Sequence, residues 1–434
     1  MTFIQYLPSP RLLLTIFAAV TLCLPPPVAS AEAPAAVEKL KESGAKVRGD
    51  AEKGYQVSVS GDEENPATAE QMKLIVALNN VSKIDLDEIA NPDLAILEPI
   101  APGVERFAIN SNLLNDEGVG HVAMFKNVEI LGMRTDQKNP GPAITPEGMR
   151  QLQGFSNVTK LGIGGHDFPA DALALLPELF PTATEVDFNH TFNVDAAVFE
   201  AFQQFPNLEI LNLGGCVKTD EAGMRALGGL KNLKTLSIFH AGRYQWAALE
   251  ALKGHPNLQS FRIGDGRPKW RPEQRVITDE DLEILLTIPT LESFGTGGDA
   301  NGGLTDAAGK VLAKHPNLKR LTVNRPEFTG QLLRNLQAAP ALEEIVIDFD
   351  QHTPESLALL TDYPALKKIR LGGYRQGTPI DDARLAALHG IPDLQELDIW
   401  MTADSNPSEE AIEQLQAAYP DFEVRVRYGL DHKK

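Results

Sequence analysis

Apolar residues recur along this chain in a phrase of fixed shape, L-x-x-L-x-L, with other apolar residues admitted at its three marked positions. Asn207-Leu208-Glu209-Ile210-Leu211-Asn212-Leu213 and Asn232-Leu233-Lys234-Thr235-Leu236-Ser237-Ile238 show it most cleanly. The first marked position is filled in turn by Val81, Val104, Val128, Val158, Ala183, Leu208, Leu233, Leu258, Leu291, Leu318, Leu342, Leu366 and Leu394. Successive copies lie 23 to 33 residues apart, and the four intervals between Val158 and Leu258 are 25 each. Thirteen registered copies exceed what scattered leucines produce, so the chain is a repeat array.

The phrase predicts a short strand. Its fourth and sixth positions, Leu211 and Leu213 for example, alternate inward, and the residue between them points out. The second half of each unit places apolar residues in steps of three before the next phrase, as in Phe199, Phe202, Phe205 and Leu208. That stripe suits a short helix. Thr145-Pro146-Glu147 and Thr353-Pro354-Glu355 mark helix starts, and Thr219-Asp220, Thr278-Asp279 and Thr305-Asp306 are alternative capping pairs. Right-handed crossovers then stack the strands into one parallel sheet with the helices outside.

These residues resemble the leucine-rich repeat family over about Val81 to Ile399. Cys216 stands where that family places its Asn/Cys ladder, and KTDEAGMRAL, ITDEDLEIL and LTDAAGKVL look like the second half of cysteine-containing repeats and of exported bacterial ones. Elsewhere the ladder position holds Asn112, Asp136, His166, Thr191, Ala241, Gly266 and Asp299, so a continuous asparagine ladder is not expected. The resemblance implies an α/β solenoid, a horseshoe with a parallel concave sheet and short outer helices. It implies binding of proteins or other macromolecules and no catalytic residue.

The ends read differently from the middle. Arg11, the apolar run Leu12 to Leu24 and the A-x-A site Ala29-Ser30-Ala31 form an export signal, residues 1–31, too short in its apolar part for a membrane span of about 20 residues. A lipoprotein reading of Cys23 is weaker because Leu22 precedes it, and the start of the chain resembles an F-box only superficially, since Pro25-Pro26-Pro27 interrupts it. Residues 32–80, with a helix near Ala35–Ser43 and a strand near Tyr55–Ser60, read as an N-terminal cap. Residues 81–405 are the array of about thirteen units, and 406–434 a C-terminal cap and tail.

Charge narrows the partner. A formal charge of −19, which becomes −20 when Arg11 leaves with the signal, opposes nucleic acid and anionic membrane surfaces. Once Cys23 is removed Cys216 stands alone, so no internal disulfide framework remains. The outward row between the inward apolar residues is Asp85, Ala108, Gly132, Gly162, Asp187, Asn212, Ser237, Arg262, Gly295, Thr322, Val346, Arg370 and Asp398. Small residues dominate its middle, which leaves room for a macromolecule over roughly 60 Å of sheet.

The strongest local anomaly follows the regular units. His240 to Trp246 and the insertion Gly264 to Arg275 gather aromatic and basic residues on an acidic protein. Arg243, Tyr244, Trp246, Arg262, Arg267, Lys269, Trp270 and Arg271 are therefore the candidate binding residues, Arg262 from the outward row and the others expected on one rim after the strands, suited to an acidic protein segment or an anionic glycan. Arg and Trp also stack simply to cover a long loop. His166, His190, Cys216 and His240 follow four consecutive strands, but their spacing matches no compact zinc motif and no metal or other cofactor is expected. His255 and His315 share a column with Phe205 and Leu230 and read as packing residues. The chain lacks HExxH, G-x-S-x-G, GxxxxGK[ST] and paired CxxC motifs, so no enzyme is predicted. The expectation is an exported, periplasmic or extracellular binding scaffold that does not insert in a membrane after signal cleavage. The alternatives are an intracellular F-box-like substrate receptor and, further off, a metal- or carbohydrate-dependent enzyme.

Overall fold

The computed structural model describes residues 32–428 except residues 63, 136–143, 166–167, 189, 192, 217–218, 240, 242–243, 265–274, 298–302, 325–327, 348–351 and 373–377. The signal segment lies outside the described residues.

Among the described residues one sheet runs through the chain, with every strand beside its neighbour in sequence. It begins with β1 (Lys46–Arg48), β2 (Tyr55–Val59), β3 (Val81–Asp87), β4 (Arg106–Asn110) and β5 (Ile130–Arg134). It continues with β6 (Lys160–Gly164), β7 (Glu185–Asp187), β8 (Ile210–Asn212), β9 (Thr235–Ser237), β10 (Ser260–Gly264) and β11 (Ser293–Gly297). The last are β12 (Arg320–Asn324), β13 (Glu344–Ile347), β14 (Lys368–Leu371), β15 (Glu396–Met401) and β16 (Arg425–Tyr428). All pairs are parallel except β1 with β2. The helix Ala33–Glu42 and the β1–β2 hairpin precede the first repeat, and the helix Glu409–Ala418 leads into β16. β1 was not anticipated: three residues with two exposed charged side chains carry no alternation to read.

Pairing follows the repeated phrase. Phe107, Leu131 and Leu161 are successive partners, as are Leu211, Leu236 and Phe261, and each is buried. The outward row is likewise in register, from Asp85 opposite Ala108 to Arg370 opposite Asp398. A one-residue slip would turn every buried side chain to solvent, so the repeated spacing itself specifies the register. Each fully buried Leu or Phe contributes on the order of 2 kcal/mol, and phenylalanines carry the middle of the core. Phe188, Phe202 and Phe205 pack at centroid distances of 5.4 and 5.0 Å.

The helical layer is short-turned, alternating α and 3₁₀ geometry. Thr145 and Thr353 cap helices that start with proline, accepting from the N–H of Gly148 and Ser356. In Thr219-Asp220 the cap is Asp220, whose carboxylate accepts from Gly223 N–H, while Thr219 is buried. Where the helices return to the sheet, the residue before the phrase ties several units to the one before. Asn127, Asn232, Asn257 and Asn317 donate from their amides to the carbonyls of Pro102, Pro206, Lys231 and Pro289. Thr182 and Thr290 do the same with hydroxyls, to Val158 and Leu258. The polar residue before the phrase therefore gives a turn carbonyl of the preceding unit a partner, at the exposed edge in the case of the asparagines.

His255 and His315 do more than pack. Both are buried, and their Nε2 atoms lie 3.0 and 3.1 Å from the carbonyls of Leu230 and Ile288, the residues in the same column one unit earlier. With Nε2 protonated, Nδ1 of His255 accepts from the N–H groups of Asn257 and Leu258. Each imidazole thus closes its own turn and hangs it on the preceding one.

Candidate interaction surface

The sheet face opposite the helices is formed by the outward row and the residues two positions to either side. Because strands stack about 4.8 Å apart and helices need more room, the sheet lies on the inside of the curve. Near its start Asp85 is ringed by Lys83 at 2.9 Å and Arg106 at 3.4 Å. Ala108, Gly132 and Gly162 then make a bare floor. A Cβ on Gly162 would meet only the Cα of Gly132 at 3.9 Å, so this trough is open above the backbone. Across it Arg134 of β5 approaches Asp187 of β7 at 3.9 Å, past the glycines of β6.

Further along, the Arg262 guanidinium lies 4.4 Å over the ring of Phe239. A Cβ on Gly297 would come 3.3 Å from that ring, so glycine in β11 lets Phe239 reach two strands beyond its own. The last three strands carry the densest charge. Asp398, almost fully buried, is approached by Arg370 at 3.5 Å and by Arg427 at 3.0 Å. Glu396 accepts from Lys368 at 3.3 Å and from Arg425. Burial pushes the Glu396 carboxyl up, yet Lys368 and Arg425 outweigh it and leave the group below its ordinary value. Arg427 also lies 4.6 Å over the Trp400 ring.

The predicted binding residues divide. Arg243, Arg267, Lys269, Trp270 and Arg271 lie outside the described residues. The three that are described do not share one rim. Tyr244 precedes the helix Gln245–Ala251 and packs against the core. Trp246 is the second residue of that helix, in the outer layer, with Arg225 stacked at 5.1 Å and Arg275 at 4.5 Å. Arg225 and Arg275 both bond Glu250, at 3.2 and 2.5 Å, and reach Glu221 and Asp281 respectively. The Arg275 hydrogen bond, with Arg225 behind it, holds the Glu250 carboxyl below its usual range. Arg262 stands on β10 between buried Phe261 and Ile263 and points to the open sheet face, as its place in the outward row predicts. Proximity in sequence was misleading because a unit of this kind sends its strand residues and its helix residues to opposite faces.

Trp400, Arg425 and Arg427 were not singled out from the sequence. The signal was present: ELDIWM and RVRY alternate, so Trp400 and Arg427 fall in the same outward register as Asp398 and Arg425. They were passed over because the last strand was read for its apolar residues, Val424 and Val426.

The metal-like set is likewise reduced. His166 and His240 lie outside the described residues. Cys216 is fully buried and its thiol donates to the Phe188 carbonyl at 3.0 Å. Thr191, one unit earlier, donates to the Ile163 carbonyl at 2.7 Å from the same position. Burial raises the Cys216 thiol from 9.0 to about 12, so the group is a structural hydrogen-bond donor. A ladder of this kind, beneath a one-strand-per-unit parallel sheet, decides the architecture. The fold is a leucine-rich repeat solenoid.

No protein-family model and no curated protein matches the chain by sequence. Among solved structures the leucine-rich repeat solenoid is similar to a chain of the yeast Rad7 and Elc1 complex, with 15% identity and a TM-score of 0.47, covering 70% of this chain and 78% of that one. It is similar to a chain of the Drosophila Toll–Spatzle complex, with 12% identity, a TM-score of 0.45 and coverage of 87% and 47%. For the TLR13–ssRNA13 complex the values are 13%, 0.45, 82% and 54%. The chain spans about half the length of the Toll and TLR13 complex chains it matches, and the likeness is one of fold. Among the described residues no helix is long and apolar enough to cross a membrane.

Proposed function

We propose that this leucine-rich repeat solenoid is an exported, non-catalytic scaffold that binds a protein partner on the open face of its sheet. The observation that carries the reading is the outward row: thirteen registered strands whose middle side chains are small, forming a long shallow floor edged by charged groups. A small-molecule site is usually a cavity lined by apolar groups. An extended floor with charges at its ends instead suits a macromolecular partner. Export rests on the Arg11 to Ala31 signal pattern. Cleavage after Ala31, read by N-terminal sequencing of the mature protein, supports it, and an intact N-terminus would favour the F-box-like alternative.

The test is site-specific crosslinking in the native envelope. A photoreactive residue at Asn212, Ser237 or Thr322 on the open face is expected to capture a defined partner, and one at Glu200 on the exposed helical side is not. Capture from Glu200 alone would move the interface to the outer layer. The loop Gly264 to Arg275 remains the sequence-based candidate for a contributing rim. Trp270→Ala with Arg271→Ala is expected to weaken partner binding and leave the unfolding midpoint in place; unchanged affinity removes the loop from the interface.

A further inference from the structure

We propose that the C-terminal end of the open face is a binding site for an acidic peptide segment, anchored by the guanidinium groups of Arg370 and Arg427. This rests on the scaffold reading and adds the chemistry of the partner. Across β14, β15 and β16 the outward side chains include four bases, Lys368, Arg370, Arg425 and Arg427, against two acids, Glu396 and Asp398. An excess of two positive charges on one patch stands out on a chain of formal charge −19. Trp246 offers the contrast. There two arginines face three carboxylates, Glu221, Glu250 and Asp281, and no positive excess remains.

Geometry shows which groups are spent and which face outward. The Asp398 side chain is only 6% exposed, whereas those of Arg370 and Arg427 are 44% and 41% exposed. Arg427 turns Nε and Nη2 toward Asp398, at 3.3 and 3.0 Å, and Arg370 turns its Nε toward the same carboxylate. The buried acid thus fixes both guanidinium groups from below, and their outer edges face solvent. A fork held in place loses less freedom on gripping a second carboxylate than a free arginine does. Trp400, beneath Arg427, adds a flat apolar wall, and Trp and Arg are both enriched at binding hot spots.

The ligand class follows from charge at two ranges. Long polyanions such as RNA feel the whole acidic surface and are repelled before they dock. A short carboxylate segment feels chiefly the charges within about 10 Å; on β14 to β16 these carry the positive excess, and Glu344 of β13, opposite Lys368, is met by Arg320 at 3.8 Å. Arg370 and Arg427 converge on one carboxylate, at 3.5 and 3.0 Å, so acids at every second residue of an extended segment, roughly 7 Å apart, would meet both.

The test titrates a fluorescent peptide of alternating Glu and Ser, and its Gln/Ser counterpart, onto the full mature chain. The Glu peptide is expected to bind about tenfold or more tightly than the Gln peptide, with affinity falling as salt rises. Arg370→Gln with Arg427→Gln is expected to remove that preference, and Arg225→Gln on the helical side to leave it intact. Should the double variant fail to fold, Arg370→Gln alone is expected to weaken the Glu peptide severalfold. Equal binding of the two peptides, no effect of the arginine variants, or tighter binding of a sulfated oligosaccharide or an RNA oligomer at this patch would overturn the proposal. Partner crosslinks from Ser237 and Thr322 that persist without peptide binding would sink this inference and leave the scaffold standing. Loss of those crosslinks would instead sink the scaffold reading.

Discussion

Thr329 closes on Asp306 of the preceding unit: its N–H at 2.9 Å and its hydroxyl at 2.6 Å both donate to that carboxylate. Thr305 makes the same pair of bonds to Asp279, Thr145 to Asp116, and Ser408 to Asp382. In Thr305-Asp306 the threonine is held by the unit before while the aspartate holds the unit after. Thr-Asp is therefore a coupling between neighbours, and at Thr278-Asp279 and Thr305-Asp306 it is not the cap the sequence predicts, since the helices that follow have Glu280 and Ala307 at their N-caps with no side-chain bond there. Asp306→Ala is expected to cost about 2 kcal/mol, the range for hydrogen bonds to a charged group, and to broaden the urea transition as repeats decouple. An unchanged midpoint and slope would show that apolar stacking alone couples the units.

His255 makes stability depend on pH. Burial holds its pKa below the ordinary 6.5, so the folded protein keeps a neutral ring that the unfolded chain protonates first. The unfolded state then binds more protons, and linkage makes stability fall as the pH falls. This contribution is whole above 6.5 and declines as pH drops through 6.5 toward the folded value. His255→Leu keeps the column apolar, as Leu230 does, but strands a carbonyl and two N–H groups. We expect a loss of about 1–3 kcal/mol at neutral pH, together with a flatter decline of the urea midpoint toward pH 5. A variant as pH-sensitive as the wild type would place the titration elsewhere.

Cys216 is expected to be inert while the protein is folded. A buried thiol raised to about 12 offers almost no thiolate at neutral pH, and its proton is engaged by Phe188. Labelling with iodoacetamide, read by peptide mapping, should be negligible in the native state and rapid in urea. Fast native labelling would show that the ladder opens locally.

The repeat architecture was legible because register, burial and capping all derive from one recurring spacing. The spacing alone places Asp85 to Asp398 in a single row, and β3 to β15 pair that row residue by residue. The site was less legible. The pattern places Trp246 on a rim beside the strand ends, yet it lies in the helix Gln245–Ala251 of the outer layer. Asp398 looked like an exposed acid and is buried because Arg370 and Arg427 cover it. Period marks which residues point outward. It does not tell which outward charges consume one another, because that depends on side-chain reach across strands far apart in sequence.

Trp246 separates support from recognition. Its ring is enclosed by Arg225 and Arg275, and both guanidinium groups are held by Glu250. Glu221 and Asp281 hold the same two guanidinium groups, and Trp246 packs on the core. Trp246→Ala is expected to lower stability by roughly 1–2 kcal/mol through lost buried ring area. Trp246→Phe, which keeps an aromatic face, should recover part of it. Neither variant should change crosslinking from Ser237 or Thr322, since the helical layer and the open face lie on opposite sides of the sheet. A drop in partner capture at full stability would return Trp246 to the binding surface and bring the outer layer into the interface.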